Sequence, residues 1–286
     1  MATAQDTLWE KFLQPLFGFL IDREALKELS DSIDWEQECD RLTDPNLVYP
    51  QYYSSQNFHG IEGGYLNSGA AVTYDPVTKY ALPPNEIWNR EAVINAIGGN
   101  PRKILDLGCG TGSTTLMLKQ AFPNAEVTGL DLSPYMLVMA QYKARQAGLE
   151  INWKHGLAEA TGFADEEFDL VTASLLFHET PPQISQAIIQ EAYRLLVTGG
   201  QIIILDGHQK TLRHTEWLTE IFEEPYIQDY AAGSLDAWLG AAGFGLVFTE
   251  DVWWTNQIST GVKSINDYQP STDDYQFPYE SQSSFV

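Results

Sequence analysis

The sequence has 286 residues, of which 44% are hydrophobic, enough for a sizeable core in one large or two small domains. Lys and Arg number 16 against 39 Asp and Glu, so the formal net charge is 16 − 39 = −23. A surface of that sign repels phosphate backbones and anionic lipid headgroups, and we therefore expect no nucleic-acid partner and no membrane association. Two cysteines without a Cys/His cluster exclude a disulfide framework and predict no metal site.

The N-terminus lacks the basic segment, apolar run and small-residue cleavage site of a secretory signal peptide. Nowhere does the chain approach the roughly 18 consecutive apolar residues of a membrane-spanning helix. These features predict a cytoplasmic protein.

Residues 1–100 have a different character from the rest of the chain. Helical patterning runs from Arg23 to about Arg41, and a long irregular stretch rich in Tyr, Gly and Pro follows from Tyr49 to Pro76. Such stretches are typical of functional loops and lids, so we interpret residues 1–100 as a helical and Tyr/Gly-rich lid. An ordered strap that covers one side of the core is the alternative.

From Pro101 onward, short apolar runs alternate with amphipathic ones, which predicts strands that alternate with helices. This order indicates an α/β fold with a doubly wound, Rossmann-like, mostly parallel sheet over residues 101–265. The predicted strands are Arg102–Leu107, Glu126–Asp131, Ile151–His155, Phe168–Ala173 and Gln201–Asp206. Ligands bind beyond the carboxyl ends of such strands, where the polar residues are Asp106, Asp131, Ser174 and Asp206.

Capping residues mark the helices between these strands. One helix is predicted to begin near Ser113, and another to have Ser133 as its N-cap and to end at Gly148. The spacing of Thr180 to Gln183 is that of a capping box, and the helix that follows is expected to end at Gly199-Gly200.

The C-terminal part is predicted to hold two further helices and a pair of strands. Thr211 to Glu224 and Ser234 to Ala242 have helical patterns, and Phe244–Phe248 can pair with Val252–Thr255 in antiparallel fashion. Residues 266–286 are polar and acidic, and we expect a flexible tail there.

The loop Gly108–Gly112 follows the first of these strands, but its pattern does not fit a dinucleotide. The dinucleotide fingerprint needs a third glycine at the position of Ser113. Asp106 stands just before the turn, where it would repel a pyrophosphate but suit an ammonium group. Asp131 lies 21 residues after Gly110, where a carboxylate can accept the hydroxyl hydrogens of a ribose. One acid for an amino group and one for a ribose indicate S-adenosylmethionine rather than NAD.

The segment Ile104–Gly112 (ILDLGCGTG) resembles motif I of the class I S-adenosylmethionine-dependent methyltransferases. The resemblance continues over further segments at residues 129–136, 168–171, 194–200 and, more faintly, 238–244. It implies a seven-stranded sheet, S-adenosylmethionine as cofactor and methyl transfer as the activity.

The resemblance also implies roles for individual residues. Asp106 would support the amino group of the methionine moiety, and Gly108 and Gly110 would pass beneath the methionine and the ribose. Asp131 would hold the ribose hydroxyls, and Leu132 would pack on the adenine.

The remaining predicted cofactor contacts come from two other loops. Leu157 and Ala158 would approach the adenine edge, and Ser174 would line the rim at the end of the fourth strand. Leu157 stands where relatives commonly carry an acid that receives the adenine amino hydrogen. That hydrogen bond must therefore come from the backbone or from water.

Histidines near the predicted rim are the candidate general bases. His178 follows the fourth strand immediately, and its ordinary pKa suits proton transfer near neutral pH. It can instead order its loop or orient Glu179. His59 in the lid is the second catalytic candidate, and His208, next to Asp206, faces the same rim.

The sequence therefore predicts an S-adenosylmethionine-dependent methyltransferase that acts on a small-molecule acceptor, at oxygen or carbon. The alternatives are a non-catalytic protein that binds S-adenosylmethionine or S-adenosylhomocysteine, and a protein methyltransferase whose acidic surface attracts a basic target. A nicotinamide oxidoreductase is disfavoured by Asp106 and Ser113. The oligomeric state is left open.

Overall fold

A seven-stranded sheet forms the centre of the protein. The computed structural model describes residues 22–61, 63–81, 85–215 and 224–264. Within them the strand order is β3-β2-β1-β4-β5-β7-β6. The strands are β1 Lys103–Leu107, β2 Glu126–Asp131, β3 Asn152–His155, β4 Phe168–Ser174, β5 Leu196–Gly207, β6 Phe244–Val252 and β7 Asn256–Lys263.

The first five strands are parallel, and β7 pairs with both of its neighbours in antiparallel fashion. Strands β1 and β4 read as nearly continuous apolar runs because helices cover both faces of the sheet. The predicted Rossmann-like, mostly parallel α/β fold is confirmed.

Helices flank the sheet and also make up much of the N-terminal segment. They are α1 Arg23–Asp31, α2 Trp35–Leu42, α3 Gln51–Ser54, α4 Ser68–Ala81, α5 Glu86–Ala96, α6 Ser113–Ala121, α7 Pro134–Ala147, α8 Pro182–Leu195, α9 Gln209–His214, α10 Ile227–Ala232 and α11 Leu235–Ala241. Short 3₁₀ turns occupy Phe58–Gly60 and Phe177–Glu179.

The caps of α7 agree with the sequence prediction. The hydroxyl of Ser133 accepts the N–H of Met136 at 3.2 Å, Pro134 opens the first turn, and Gly148 ends the helix at a φ of +65°. A glycine stands there because other residues rarely adopt this left-handed conformation.

The N-terminal cap and the C-terminal end predicted for α8 were both wrong. The Thr180 hydroxyl pairs with Ser185 Oγ at 2.8 Å and caps no backbone N–H, and Pro181 holds the N-cap position. Gly199 and Gly200 do not end the helix, since it stops at Leu195 and both glycines lie within β5. The pairing of β4 with β5 changes register here, between Leu196 and Gln201 of β5. Gly199, which has a left-handed φ, lies in this irregular part of the strand.

The C-terminal hairpin is displaced from its predicted position. Strand β6 extends from Phe244 through Val252, and β7 begins only at Asn256, so the predicted second strand Val252–Thr255 is largely the turn. The predicted helix Thr211–Glu224 is described only in part: α9 ends at His214, and residues 216–223 lie outside the described residues. The predicted tail, 266–286, lies outside them as well.

The N-terminal segment is more regular than its composition suggests. The predicted helical run divides into α1 and α2, because Asp34 caps a second helix by accepting the N–H of Gln37 at 3.1 Å. The stretch predicted as irregular contains most of α4, which starts after Asn67, whose side chain accepts the N–H of Ala70 at 2.8 Å. Helix α4 joins a buried cluster with Phe58, Tyr65, Met136 and Met139.

Helix α5, at the end of this segment, packs against the sheet itself. Val93 is fully buried and belongs to one cluster with Ile104, Leu118, Leu205 and Ile258. The division into lid 1–100, core 101–265 and tail 266–286 stays a prediction. Helix α5 lies within the predicted lid, yet it packs in the same hydrophobic cluster as residues of the sheet. No helix in the described residues is long and apolar enough to cross a bilayer.

We predict that Val93→Ala lowers the free energy of unfolding by about 2 kcal/mol, because it removes buried methyl groups and leaves a cavity. Urea denaturation followed by circular dichroism measures the change. Asn95→Ala, at an exposed position of the same helix, is the control and should change stability by less than about 0.5 kcal/mol. Equal effects of the two substitutions would contradict a core role for α5.

Candidate functional site

The glycine loop after β1 owes its shape to three left-handed residues. Gly108, Gly110 and Gly112 have φ values of +61°, +54° and +77°. A Cβ on Gly112 would lie 2.8 Å from the ring of Trp153, so a side chain is excluded there by space as well as by conformation. A Cβ on Gly110 would meet nothing within 4 Å, because this residue faces open space. The loop therefore offers bare backbone to a ligand.

Asp131 at the end of β2 holds this loop in place. Its two carboxylate oxygens accept the N–H of Gly110 at 2.7 Å and the N–H of Ser133 at 2.8 Å. Burial raises the pKa of Asp131 to about 6, although the two N–H groups favour the charged form. The carboxylate is thus ionised at neutral pH and lines the open space next to Gly110.

Asp106 is buried beneath the glycine loop, whereas the sequence prediction places it in contact with the cofactor. Its oxygens accept the hydroxyls of Thr115 at 2.6 Å and Thr172 at 2.8 Å, and its side chain does not line the cavity described below. Burial raises its pKa, and the two threonine hydroxyls oppose this shift. Both of its oxygens therefore already have protein partners.

A buried arginine from α5 supports the loop from the other side. Arg90 donates to Glu86 at 2.8 Å and to the Thr114 hydroxyl at 2.6 Å, and this hydroxyl lies 3.0 Å from Ser174 Oγ. The chain of contacts thus joins α5 to the start of α6 and to the end of β4. Sequence reasoning missed Arg90, although its spacing of four residues from Glu86 is a recognisable ion-pair signal.

A cavity with about 650 Å³ of empty space, part of it open to solvent, lies at the carboxyl ends of the parallel strands. The predicted cofactor residues Gly108, Gly110, Asp131, Leu132, Ala158 and Ser174 line it. Asp106 and Leu157 do not.

The opposite wall comes from the N-terminal segment. Tyr52, Tyr53, Tyr65 and Tyr74 line the same cavity as the glycine loop. Burial raises the pKa of each of these phenols, so their hydroxyls stay neutral and act as hydrogen-bond donors. Aromatic rings with neutral hydroxyls suit a planar ligand.

Glu179 and Glu159 are glutamates that line the cavity and accept hydroxyls of this tyrosine wall. The Oε1 of Glu179 accepts the hydroxyl of Tyr65 at 2.6 Å. Burial and the nearby Glu224 raise the pKa of Glu179 to about 7, against the lowering effect of two histidines. Sequence analysis named Glu179 only as a partner of His178, whereas the structure brings it to the cavity wall.

His178, the first predicted base, does not line the cavity. Its Nδ1 lies 2.6 Å from Asp206 Oδ1, and its Nε2 lies 3.9 Å from Glu179 Oε1. Burial alone lowers the pKa of His178, but the Asp206 carboxylate more than reverses this effect and raises it to about 9. The imidazole is therefore protonated at neutral pH and oriented toward Glu179.

His59 repeats this arrangement from the N-terminal segment. Its Nδ1 lies 2.7 Å from Glu224 Oε1, and its Nε2 lies 3.7 Å from Glu179 Oε1. Burial opposes the charged form, yet Glu224 raises the pKa of His59 to about 9. His208, the other candidate, pairs with Thr211 and Asp251 and does not line the cavity.

One group of side chains has an approximate metal-binding geometry. His59, Glu179 and Glu224 each place one possible ligand atom within 4.8 Å of the others, in the part of the chain that the structure describes. Sequence analysis predicted no metal site, because the three residues are far apart in the chain. The short contact between His59 and Glu224 is that of a charged hydrogen bond, which already uses one ring nitrogen.

Known proteins are similar to this chain in sequence and in fold. Residues 104–200 match the family model described as a methyltransferase domain. The chain is 40% identical over 119 residues to a demethylmenaquinone methyltransferase of Thermus thermophilus, covering 42% of this chain and 53% of that protein. It is 34% identical over 137 residues to the ubiquinone/menaquinone biosynthesis C-methyltransferase UbiE of Desulfotalea psychrophila, covering 48% and 54%.

The chain is thus similar to methyltransferases over residues 104–200. It spans about half the length of the curated relatives that it matches. The methyltransferase domain covers the glycine loop, Asp131 and Glu179, whereas His59, Arg90 and the tyrosine wall lie before the matched residues.

Solved structures share the methyltransferase fold. Phosphoethanolamine N-methyltransferase 2 of Haemonchus contortus, in complex with S-adenosylmethionine, superposes with a TM-score of 0.57 at 14% identity, covering 78% of this chain and 62% of that one. Human N-acetylserotonin methyltransferase gives a TM-score of 0.54 at 16% identity, covering 70% and 58%. These likenesses show the fold.

We predict that Arg90→Met lowers the free energy of unfolding by about 3–5 kcal/mol, because it leaves the buried Glu86 without its cation. Denaturant titration measures the loss. The double variant Glu86→Gln/Arg90→Met should recover a large part of it, since no carboxylate is then left unpaired. If the double variant is as unstable as Arg90→Met, the ion-pair explanation is wrong.

Proposed function

We propose that this protein is an S-adenosylmethionine-dependent methyltransferase that methylates a small planar acceptor at carbon or oxygen. The observation that carries the proposal is one cavity with two unlike walls. The glycine loop and Asp131 form one wall, and tyrosines of the N-terminal segment with Glu179 form the other. Cofactor and acceptor can thus meet in a single cavity.

The first wall has the groups that the nucleoside part of the cofactor needs. The Asp131 carboxylate can accept both ribose hydroxyls, and Gly110 leaves room for the ligand next to it. Leu132 and Ala158 offer apolar contacts for adenine. The hydrogen bond to the adenine amino group would come from the backbone or from water, since Leu157, just before Ala158, has no polar side chain. His155 fixes Leu132: its Nδ1 accepts the N–H of Asp44, so its Nε2–H donates to the Leu132 carbonyl at 3.0 Å.

The methionine part would lie toward Gly108 and the end of β1. Asp106 does not line the cavity, so in contrast to Asp131 it would act on this region through its charge and not through a direct hydrogen bond. Ser174 contributes the rim next to it. When bound, the cofactor supplies an already activated methyl group, so the protein chiefly aligns the acceptor and excludes water.

The tyrosine wall supports a small acceptor rather than a protein side chain. Hydrogen bonds from the N-terminal segment close the cavity: Tyr65 bonds to Glu179, and Tyr52 bonds to Glu159 at 2.6 Å. Asp75 on α4 accepts from Lys143 at 2.6 Å and so also joins α4 to α7. A segment attached at several points favours an enclosed pocket over an open groove.

The names of the relatives support a quinol-type acceptor and transfer to carbon. Demethylmenaquinone is the substrate in the name of one relative, and C-methyltransferase is the activity in the name of another. A planar ring can pack against the tyrosine rings, and the neutral hydroxyls of Tyr53 and Tyr74 can donate to its oxygens. We therefore propose a quinol-type acceptor. We also propose the cytoplasmic location that the sequence predicts.

We predict that Asp131→Ala weakens S-adenosylhomocysteine binding by about 1–3 kcal/mol, because the ribose loses its hydrogen-bond acceptor. Isothermal titration calorimetry gives the dissociation constant, and NADH serves as the comparison ligand. An unchanged affinity for S-adenosylhomocysteine, or binding of NADH alone, would exclude the proposed cofactor site.

The pKa of Asp131 also predicts a pH dependence. The ionised form accepts the ribose hydroxyls, so affinity for S-adenosylhomocysteine should be full above about pH 7 and should fall as the pH drops through about 6. Calorimetry between pH 5 and pH 8 tests this expectation. The matched variant Asp131→Asn cannot titrate and should show a flat profile over the same interval.

Transfer itself is tested with S-adenosylmethionine labelled in its methyl group and a short-chain demethylmenaquinol kept reduced by dithionite. The proposal expects label in the quinol, recovered on ring carbon or on oxygen. Cofactor binding without transfer to this quinol or to related phenols would instead support the non-catalytic binding protein.

A further inference from the structure

We propose that Glu179 is the catalytic base, that the ion pairs His178–Asp206 and His59–Glu224 favour its ionised form, and that the acceptor carries an ionisable hydroxyl, as phenols and quinols do. This inference rests on the proposed methyltransferase function. It differs from the sequence prediction, in which the histidines themselves take the proton.

The geometry converges on a single atom, Glu179 Oε1. The Nε2 atoms of His59 and His178 approach it at 3.7 and 3.9 Å, and the Tyr65 hydroxyl donates to it at 2.6 Å. Each imidazole is held on its far side by a buried carboxylate, at 2.7 and 2.6 Å. Each of these short contacts holds the Nδ1–H of its ring, and a pKa of about 9 for each imidazole means that Nε2 also carries a proton at neutral pH.

Glu179 differs from the two histidines in its access to the cavity. Glu179 lines the cavity together with Gly108 and Gly110, and neither imidazole does. A general base must come within hydrogen-bond reach of the proton that it removes. Among these three groups, only the Glu179 carboxylate meets that condition from the cavity wall.

The local backbone supports this positioning. His59 and Leu175, on either side of the cavity, have the left-handed φ values of +51° and +60°, which non-glycine residues rarely adopt. The side chain of Glu224 is fully buried, and its Oε2 has no hydrogen-bond partner among the described residues. Its Oε1 accepts the backbone N–H of His59 at 3.2 Å and lies 2.7 Å from His59 Nδ1, so Glu224 holds both the backbone and the ring of His59.

A charge count explains why the cluster suits methyl transfer. Three carboxylates (Glu179, Glu224 and Asp206) and two imidazolium rings (His59 and His178) sum to −1, so this cluster together with a bound sulfonium sums to zero. In the reaction the acceptor loses a proton to Glu179 and gains the methyl group, while the carbon–sulfur electron pair returns to sulfur. The products are a methylated acceptor, a neutral thioether and a neutral carboxyl, so the sum is again zero. No net charge is created in this low-dielectric space.

The same chemistry defines the acceptor. A base near neutrality can remove the proton of a phenol or quinol hydroxyl once the sulfonium is close, but not that of an aliphatic alcohol. Deprotonation strengthens the oxygen and the adjacent ring carbons as nucleophiles. Tyr53 and Tyr74, the other titratable groups facing Glu179, stay neutral and leave the charge balance unchanged.

Proton release on ligand binding tests the inference without an acceptor. We expect S-adenosylmethionine, a sulfonium cation, to expel up to about half a proton at pH 7 from a glutamate whose pKa is about 7. The neutral thioether of S-adenosylhomocysteine should expel much less. Because the two ligands differ only in the methyl group and charge on sulfur, the difference in released protons reports on that charge. Calorimetry in buffers of different ionisation enthalpy measures the difference in released protons.

Glu179→Gln should abolish this difference while S-adenosylhomocysteine still binds, which also shows that the variant is folded. Glu159→Gln is the matched control, because Glu159 also lies at the cavity wall and accepts a tyrosine hydroxyl at 2.6 Å, but has no imidazole beside it. It should keep the difference. Equal proton release by the two ligands, or a difference that survives in Glu179→Gln, would overturn the role of Glu179. If neither ligand binds, the proposed function itself fails.

His178 acts as a positioning residue, and its test is a pH profile. His178→Asn removes one positive charge next to Glu179, so the pH of maximal proton release should move upward by about one unit. With the reduced quinol as acceptor, Glu179→Gln should lower kcat by about 10²–10⁴-fold. Full turnover by Glu179→Gln, or turnover that requires added Mn²⁺ or Zn²⁺ at His59, Glu179 and Glu224, would contradict a carboxylate base.

Discussion

The two hydrogen bonds of the Asp131 carboxylate are the constraint on which the site depends. One bond holds Gly110 in a left-handed loop, and the other holds Ser133 at the start of α7. The same carboxylate thus sets the position of the loop after β1 and of the helix after β2. Because Asp131 is buried, both N–H groups are needed to keep it ionised, and so the binding group and the local fold stabilise each other.

The N-terminal segment turns an open sheet edge into a closed site. In a doubly wound sheet the carboxyl ends of the strands form only a crevice. Here the tyrosines cover that crevice, Arg90 supports the loop from beneath, and His59 reaches Glu179. His59 and Asp75 of this segment pair with Glu224 and Lys143, which lie far away in the chain, and this pairing limits the cost of desolvating them.

Much of the fold followed from local patterns, and the errors have a common cause. Strand β2 and the caps of α7 were predicted to the residue, because buried parallel strands and capping residues have strong local signals. Gly199 was assigned to a helix end, although a left-handed glycine serves a strand irregularity equally well. The Tyr/Gly-rich stretch concealed α4, since burial against Met136 and Met139 outweighs a composition that suggests a loop.

The sequence by itself determined the type of fold, the glycine loop and the acidic residues at the strand ends, because each depends on neighbours within a few residues. Tertiary structure alone decided that Asp106 is bonded to two threonines, that Glu179 faces the cavity, and that His178 and His59 stand behind it. Residues 59, 179 and 224 meet only when the chain has packed. Their protonation states follow from that burial and pairing, which no local pattern contains.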